Sequence, residues 1–183
     1  MKLASSIISL IFLFSACSIA DEKGATNFDK IGEEKLSLNG LWSFSTDSTL
    51  EEREEWVQSD FSTVKWDKLK VPGNWDTENA YSEFVGTGYY RREFSVPQSW
   101  DSSVVRLCFE AIYQRSKVWL NGHYLGKHIG GYTPFEFDIT HILQPGKTNV
   151  IALTANNDYQ NGAWWRWGGI SREVNVVGNH EQR

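Results

Sequence analysis

The sequence predicts an all-β fold, a β-sandwich, on three observations. From about Leu36 onward apolar residues recur with period two, the alternating stretches are short and punctuated by Gly, Pro and Asn, and one stretch alone has helical character. No strand-helix-strand alternation of an α/β protein is present. In "LNGLWSFS", Trp42 and Phe44 share one face. "YYRREFSVP" sets Tyr90, Arg92, Phe94 and Val96 on one side, with charged residues expected on the other, and "VVRLCFEAI" alternates Val105, Leu107, Phe109 and Ala111 with Val104, Arg106, Cys108 and Glu110. "KVWLNGHYLGKH" reads as a hairpin, because Asn121-Gly122 accepts the positive φ values that a two-residue type I′ turn requires. A further strand ends before Pro72-Gly73, and "PFEFDIT", "NVIALTA" and "REVNVV" supply more. The one predicted helix is "STLEEREEWVQS", with Ser48 as its cap and Trp56 as its apolar anchor.

The chain has 183 residues, enough for one ordinary domain. Its net charge of −5 argues against a phosphate backbone as partner, so nucleic acid is excluded from the expected ligands. Aromatic residues make up 14 %, including 9 Trp and 7 Tyr, a share that suits half-wet surfaces as well as cores. The four histidines lack metal-ligand spacing, no HExxH, G-x-S-x-G or phosphate loop occurs, and no metal or cofactor is expected. Glu110 and Asp138 lie in strands, where a carboxylate usually caps a turn or pairs with Arg.

The N-terminus reads as an export signal. Lys2, the apolar run in "LASSIISLIFLFSAC" and small residues before Cys17 give that pattern, too short for a spanning helix. "FSAC" also resembles the lipobox of bacterial lipoproteins, with Phe14 where Leu is usual. Residues 1–16 are thus expected as a signal peptide, Cys17 as a lipidated terminus and 17–35 as a tether; simple secretion is the alternative. Asp21 and Glu22 resemble a surface-sorting signal. The expected location is the periplasm or outer-membrane surface of a Gram-negative bacterium, with membrane attachment through Cys17. Cys108, left without a partner, is expected as a small buried hydrophobe.

Two polar, aromatic stretches stand out as candidate sites. "NNDYQNGAWWRWGGISREV" carries three tryptophans in four residues among Asn156, Asn157, Asp158, Gln160, Asn161 and Arg166. Sugars present an apolar C–H face ringed by hydroxyls, so flat aromatics beside polar side chains suit them. The same tryptophans would equally suit a contact with another domain. The second stretch, "VPGNWDTENAYSEFVGTGYY", is a long loop carrying Asn74, Trp75, Asp76, Asn79 and Tyr81.

"LNGLWSF", "KVPGNWD", "GTGYYRREFSVP", "RLCFEAIYQRSKVWLNGHYLGKHIGGYTPFEFDIT", "NVIALTANN" and "WWRWGGISREVNVV" stand in that order. Together they resemble the N-terminal sugar-binding domain of glycoside hydrolase family 2, which includes β-galactosidases, β-glucuronidases and β-mannosidases. The resemblance implies a galactose-binding-domain-like jelly roll over residues 36–178, with 179–183 the start of a linker or tail. It also implies an immunoglobulin-like domain and a (β/α)₈ barrel as partners, the barrel carrying both glutamates of a retaining exo-β-glycosidase. The acid/base glutamate of the family follows an asparagine, and no Asn-Glu dipeptide occurs here, so this chain alone is expected to be inactive, with no catalytic residue of its own. By the same resemblance, the rim that contacts a terminal β-linked sugar maps to Asn74, Trp75 and Asp76 and to Trp164, Trp165 and Arg166. Ala163 stands where several members carry an acidic residue, a departure that argues against galactose-type recognition through that carboxylate, with Asp158 as the candidate substitute. Three readings follow: the non-catalytic portion of an exported exo-β-glycosidase, a free-standing carbohydrate-binding lipoprotein, or a docking domain for a catalytic subunit.

Overall fold

A computed structural model describes residues 32–158 and 167–179. The expectations that fall on Cys17 and its flanks, and on Trp164, Trp165 and Arg166, lie outside the described residues. Ten strands form two antiparallel sheets, β1 (Glu33–Ser37), β2 (Gly40–Ser45), β3 (Asp67–Val71), β4 (Thr87–Ser95), β5 (Val104–Phe109), β6 (Arg115–Leu120), β7 (His123–Ile129), β8 (Phe135–Asp138), β9 (Thr148–Asn156) and β10 (Val174–Asn179). One sheet has the order β1-β10-β5-β8 and the other β3-β2-β4-β9-β6-β7, giving the expected jelly-roll sandwich.

The alternation read from the sequence sets the core between the sheets. Trp42 and Phe44 from β2, Tyr90 and Phe94 from β4, Leu107 and Phe109 from β5, and Ile151 and Leu153 from β9 are all buried in one cluster. The Asn121-Gly122 turn has φ of 51° and 81° at its two residues, as a type I′ hairpin requires. Asp138 caps a turn, its carboxylate accepting from the Thr140 backbone N–H at 2.9 Å.

Four local expectations are corrected. The predicted helix is instead two 3₁₀ turns, Ser48–Glu52 and Glu54–Val57, separated by an extended Arg53, and Asp47 rather than Ser48 is the cap. Its buried residues are Leu50, Trp56 and Val57, and Glu51, Glu52, Glu54 and Glu55 would crowd like charges at i, i+3 and i, i+4 on a helix. Strand β1 begins at Glu33, inside the stretch expected as tether, because β10 offers it a full antiparallel register. Cys108 is half-buried on the outer side of its sheet, its Sγ 3.6 Å from a Glu136 carboxylate oxygen; burial first, then that carboxylate, pushes its thiol up to about 11.

The fourth concerns the second face of β4, where charged residues are expected: Arg91 lies there, but the face is covered. Tyr89 is buried there with Leu50, Trp56, Val57 and Ala152, the 3₁₀ segment folding over the outside of the six-stranded sheet. Arg91 is buried beneath it and donates to the carbonyl oxygens of Trp56 and Phe61. Its guanidinium also lies 5.6 Å from the centre of the Phe61 ring. Burial lowers the Arg91 pKa from its ordinary value, and the carbonyl acceptors offset part of the desolvation.

Candidate functional site

Pro72 to Asp76 leaves β3 and runs beside the chain that enters β10. The Gly73 N–H donates to the Ile170 carbonyl at 2.9 Å, and the Trp75 N–H to the Gly168 carbonyl at 2.8 Å. From the other side the Tyr113 N–H donates to the Gly169 carbonyl at 2.9 Å. The Gly168–Ile170 segment is therefore clamped between two loops that are remote in sequence. Both glycines are demanded by this packing. A Cβ on Gly168 would lie 1.9 Å from the Trp75 ring, and one on Gly169, whose φ is +123°, would lie 2.9 Å from both the Gly73 carbonyl and the Tyr90 hydroxyl.

The structure thus brings the "VPGNWD" motif and the "WGGIS" motif together at one end of the sandwich. Trp75, expected at a sugar-contacting rim, is fully buried. Its ring packs on Phe44 at 5.7 Å and Phe84 at 5.6 Å, and its Nε1–H reaches the Phe84 carbonyl at 3.4 Å. An indole so placed holds the loop and the Gly168 backbone in position; it offers no platform to a ligand. Its neighbours Asn74 and Asp76 are half-buried. Among the described residues, Asn74 Oδ1 is buried with no hydrogen-bond partner, a polar atom that a ligand hydroxyl would satisfy. Tyr90, beneath, is held neutral well above the ordinary tyrosine range, first by burial and then by the Asp76 charge.

Three further aromatics complete this end. Trp167, half-buried, meets Tyr113 and Tyr132 edge-on, each with ring centres 6.0 Å apart, and Tyr113 and Tyr132 are 5.9 Å apart. Tyr132 is 54 % exposed, so one ring of the triad is open to solvent. Burial first, and then Tyr132, raises the Tyr113 pKa. Sequence reasoning did not assign a site role to Tyr113 or Tyr132. The available signal was the double glycine before Tyr132 in "HIGGYTP", a loop built for close approach.

Of the polar residues that precede the tryptophans, Gln160 and Asn161 lie outside the described residues, and Asn156, Asn157 and Asp158 are committed to structure. Asn157 is fully buried, accepting from the Gly86 N–H at 2.9 Å and donating to the Phe84 carbonyl at 3.3 Å. Asn156 donates to the Thr87 hydroxyl at 2.9 Å, and Asp158 pairs with Arg115. These contacts tie the end of β9 to the loop that carries Trp75.

The family model described as "Glycosyl hydrolases family 2, sugar binding domain" matches residues 36–179. A β-glucuronidase of Paenibacillus borealis is 30 % identical over 133 residues, covering 70 % of this chain and 22 % of that protein. A β-galactosidase of Priestia megaterium is 29 % identical over 168 residues, covering 75 % of this chain and 16 % of that protein. The chain therefore spans less than a quarter of the length of these relatives. The crystal structure of Bacteroides uniformis β-glucuronidase superposes with a TM-score of 0.70 at 30 % identity, over 80 % of this chain and 18 % of that one. A Ruminococcus gnavus β-glucuronidase gives a TM-score of 0.72 at 22 % identity, over 81 % of this chain and 30 % of that one, a likeness of fold. With the matched segment running from the first core strands through β10, this chain belongs to the glycosyl hydrolases of family 2 and is built as their sugar-binding domain.

Proposed function

We propose that the chain works as the non-catalytic front of an exported exo-β-glycosidase, shaping the rim that receives a terminal β-linked sugar. The observation that carries this reading is the clamp around Trp75, which converges the "VPGNWD" loop, Gly168–Ile170 and Tyr113 on one end of the sandwich. There Asn74 and Asp76 supply polar groups and Tyr132 and Trp167 supply aromatic edges. Trp164, Trp165 and Arg166 immediately precede Trp167 and are assigned to the same rim. The chemistry itself, protonation of the leaving oxygen by one glutamate and attack by another, belongs to a barrel domain. Export through the N-terminal signal and lipid attachment at Cys17 are part of the same proposal. They are supported by the "FSAC" motif and would place the enzyme in the envelope of a Gram-negative cell.

The test is capture of the native polypeptide from source cells with an antibody to "YSEFVGTGYY", followed by intact mass and assays on nitrophenyl β-galactoside and β-glucuronide. The expected result is a species several times heavier than 21.0 kDa that cleaves one of the two. A species near 21 kDa that binds sugar without cleaving it would replace this reading with a free-standing binding lipoprotein.

A further inference from the structure

The outer face of the six-stranded sheet carries a second arrangement that the clamp around Trp75 does not use. Strand register sets its side chains in rows. Lys117 of β6 stands directly opposite Lys127 of β7, and Trp119 stands opposite Tyr124. Two residues along β6 in the other direction, Arg115 shares the same face. The register shifts between Val118 and Trp119, and this bulge brings Tyr124 onto the face that Lys127 occupies.

Like charges directly opposite on a sheet destabilise it. Among the described residues neither lysine ammonium has an ion pair or hydrogen bond, in a chain whose net charge is −5. The aromatic row is equally open. Tyr124 is 53 % exposed, half-buried Trp119 lies 5.3 Å from it at 53°, and Trp119 is braced from behind by Trp56 at 5.4 Å. The 3₁₀ segment that carries Trp56 rises as a wall, and the cleft it makes with these strands has a volume of about 750 Å³. That size fits a short oligosaccharide rather than an ion.

We propose that this cleft is a second glycan site, distinct from the loop end, and that its ligand is an acidic oligosaccharide bearing carboxylates or sulfates. The apolar face of a pyranose stacks on Trp119 and Tyr124. Its anionic substituents lie over Lys117 and Lys127, relieving the cross-strand repulsion, while Arg115 beyond them is already paired with Asp158. Successive rows are about 7 Å apart, the scale of one sugar residue. Thr154 of β9 lines the cleft beside the cations and offers its hydroxyl to the sugar hydroxyls.

The test is calorimetric titration of the 183-residue chain with an oligogalacturonate, a sulfated heparin oligosaccharide, a neutral oligogalactan of matched length and a DNA oligonucleotide of matched charge. At least one acidic oligosaccharide is expected to bind, the two arms separating carboxylate from sulfate. Its affinity should fall about tenfold or more in Lys117→Ala/Lys127→Ala and again in Tyr124→Ala. Trp165→Ala, by contrast, should affect the neutral sugar alone, so failure of the rim and failure of this site give different patterns. The proposal is overturned if neither acidic sugar binds, if binding ignores the two lysines, or if the oligonucleotide binds as tightly and Tyr124→Ala leaves all affinities unchanged.

Discussion

Replacing Gly168 by alanine tests the clamp directly. The new methyl would lie 1.9 Å from Trp75 Cζ2 and 2.0 Å from Cε2, where ordinary carbon contact is about 3.5 Å. The indole cannot retreat, because it is fully buried between Phe44 and Phe84. The φ of Gly168 is not in the left-handed region, so the cost is steric. Overpacking of this kind costs ~1–3 kcal/mol. Separation of the two segments would also weaken the Gly73–Ile170 and Trp75–Gly168 hydrogen bonds at ~1 kcal/mol each. A total of about 3–5 kcal/mol is expected, which for a domain of this size lowers Tm by roughly 6–20 °C. Trp75→Ala alone should cost ~3–5 kcal/mol through its cavity. In that background the methyl has room, so Gly168→Ala should then cost less than ~1 kcal/mol, giving a coupling of about 2–4 kcal/mol. Urea unfolding followed by far-ultraviolet circular dichroism measures all four corners of the cycle. Equal cost of Gly168→Ala in both backgrounds would refute the clamp.

Other outcomes are expected from the same structure. Trp165→Ala should weaken binding of a neutral β-linked sugar by ~1–3 kcal/mol with an unchanged melting temperature, read by calorimetry and thermal scanning; an unchanged isotherm with a lowered Tm would assign the indole to packing. Tyr132→Ala should change stability by no more than ~0.5 kcal/mol, because the ring is 54 % exposed, while reducing affinity for the same sugar. In alkali, Tyr81 and Tyr89, both pushed up to about 12 chiefly by burial, should ionise late, and Tyr90 only on unfolding. Raised tyrosine pKa values contribute stability that is fully present below pH 10.0, the ordinary value, and is lost as pH rises through the folded values. A phenolate absorbance titration showing all seven tyrosines ionising together near pH 10.0 in the folded protein would contradict this. The Thr140 hydrogen bonds hold Asp138 below its ordinary 3.8, so Asp138→Asn should be destabilising at neutral pH. The difference should vanish as pH falls through the lowered pKa, because a depressed carboxyl stabilises only while ionised; a difference that persisted in acid would assign the effect to packing.

The sequence by itself determined the alternation of each strand, the Asn121-Gly122 hairpin and the inward row of Val105, Leu107, Phe109 and Ala111, because side-chain period and turn chemistry are local properties. It also carried the order of motifs by which the family is recognised. What lies over a face is not local. Tyr89 and Arg91 alternate correctly with Tyr90, yet both are buried because a segment more than thirty residues earlier folds across them. Trp75 reads as a rim aromatic in a long loop, and the packing of Phe44, Phe84 and Gly168, the last ninety-three positions away, encloses it. The same holds for Lys117 and Lys127, ten residues apart in a hairpin, whose direct opposition depends on register and whose cleft depends on the distant 3₁₀ wall. Pattern along one strand states which residues share a side; the tertiary structure decides which sides meet water, because burial is set by contacts between segments that sequence distance does not constrain.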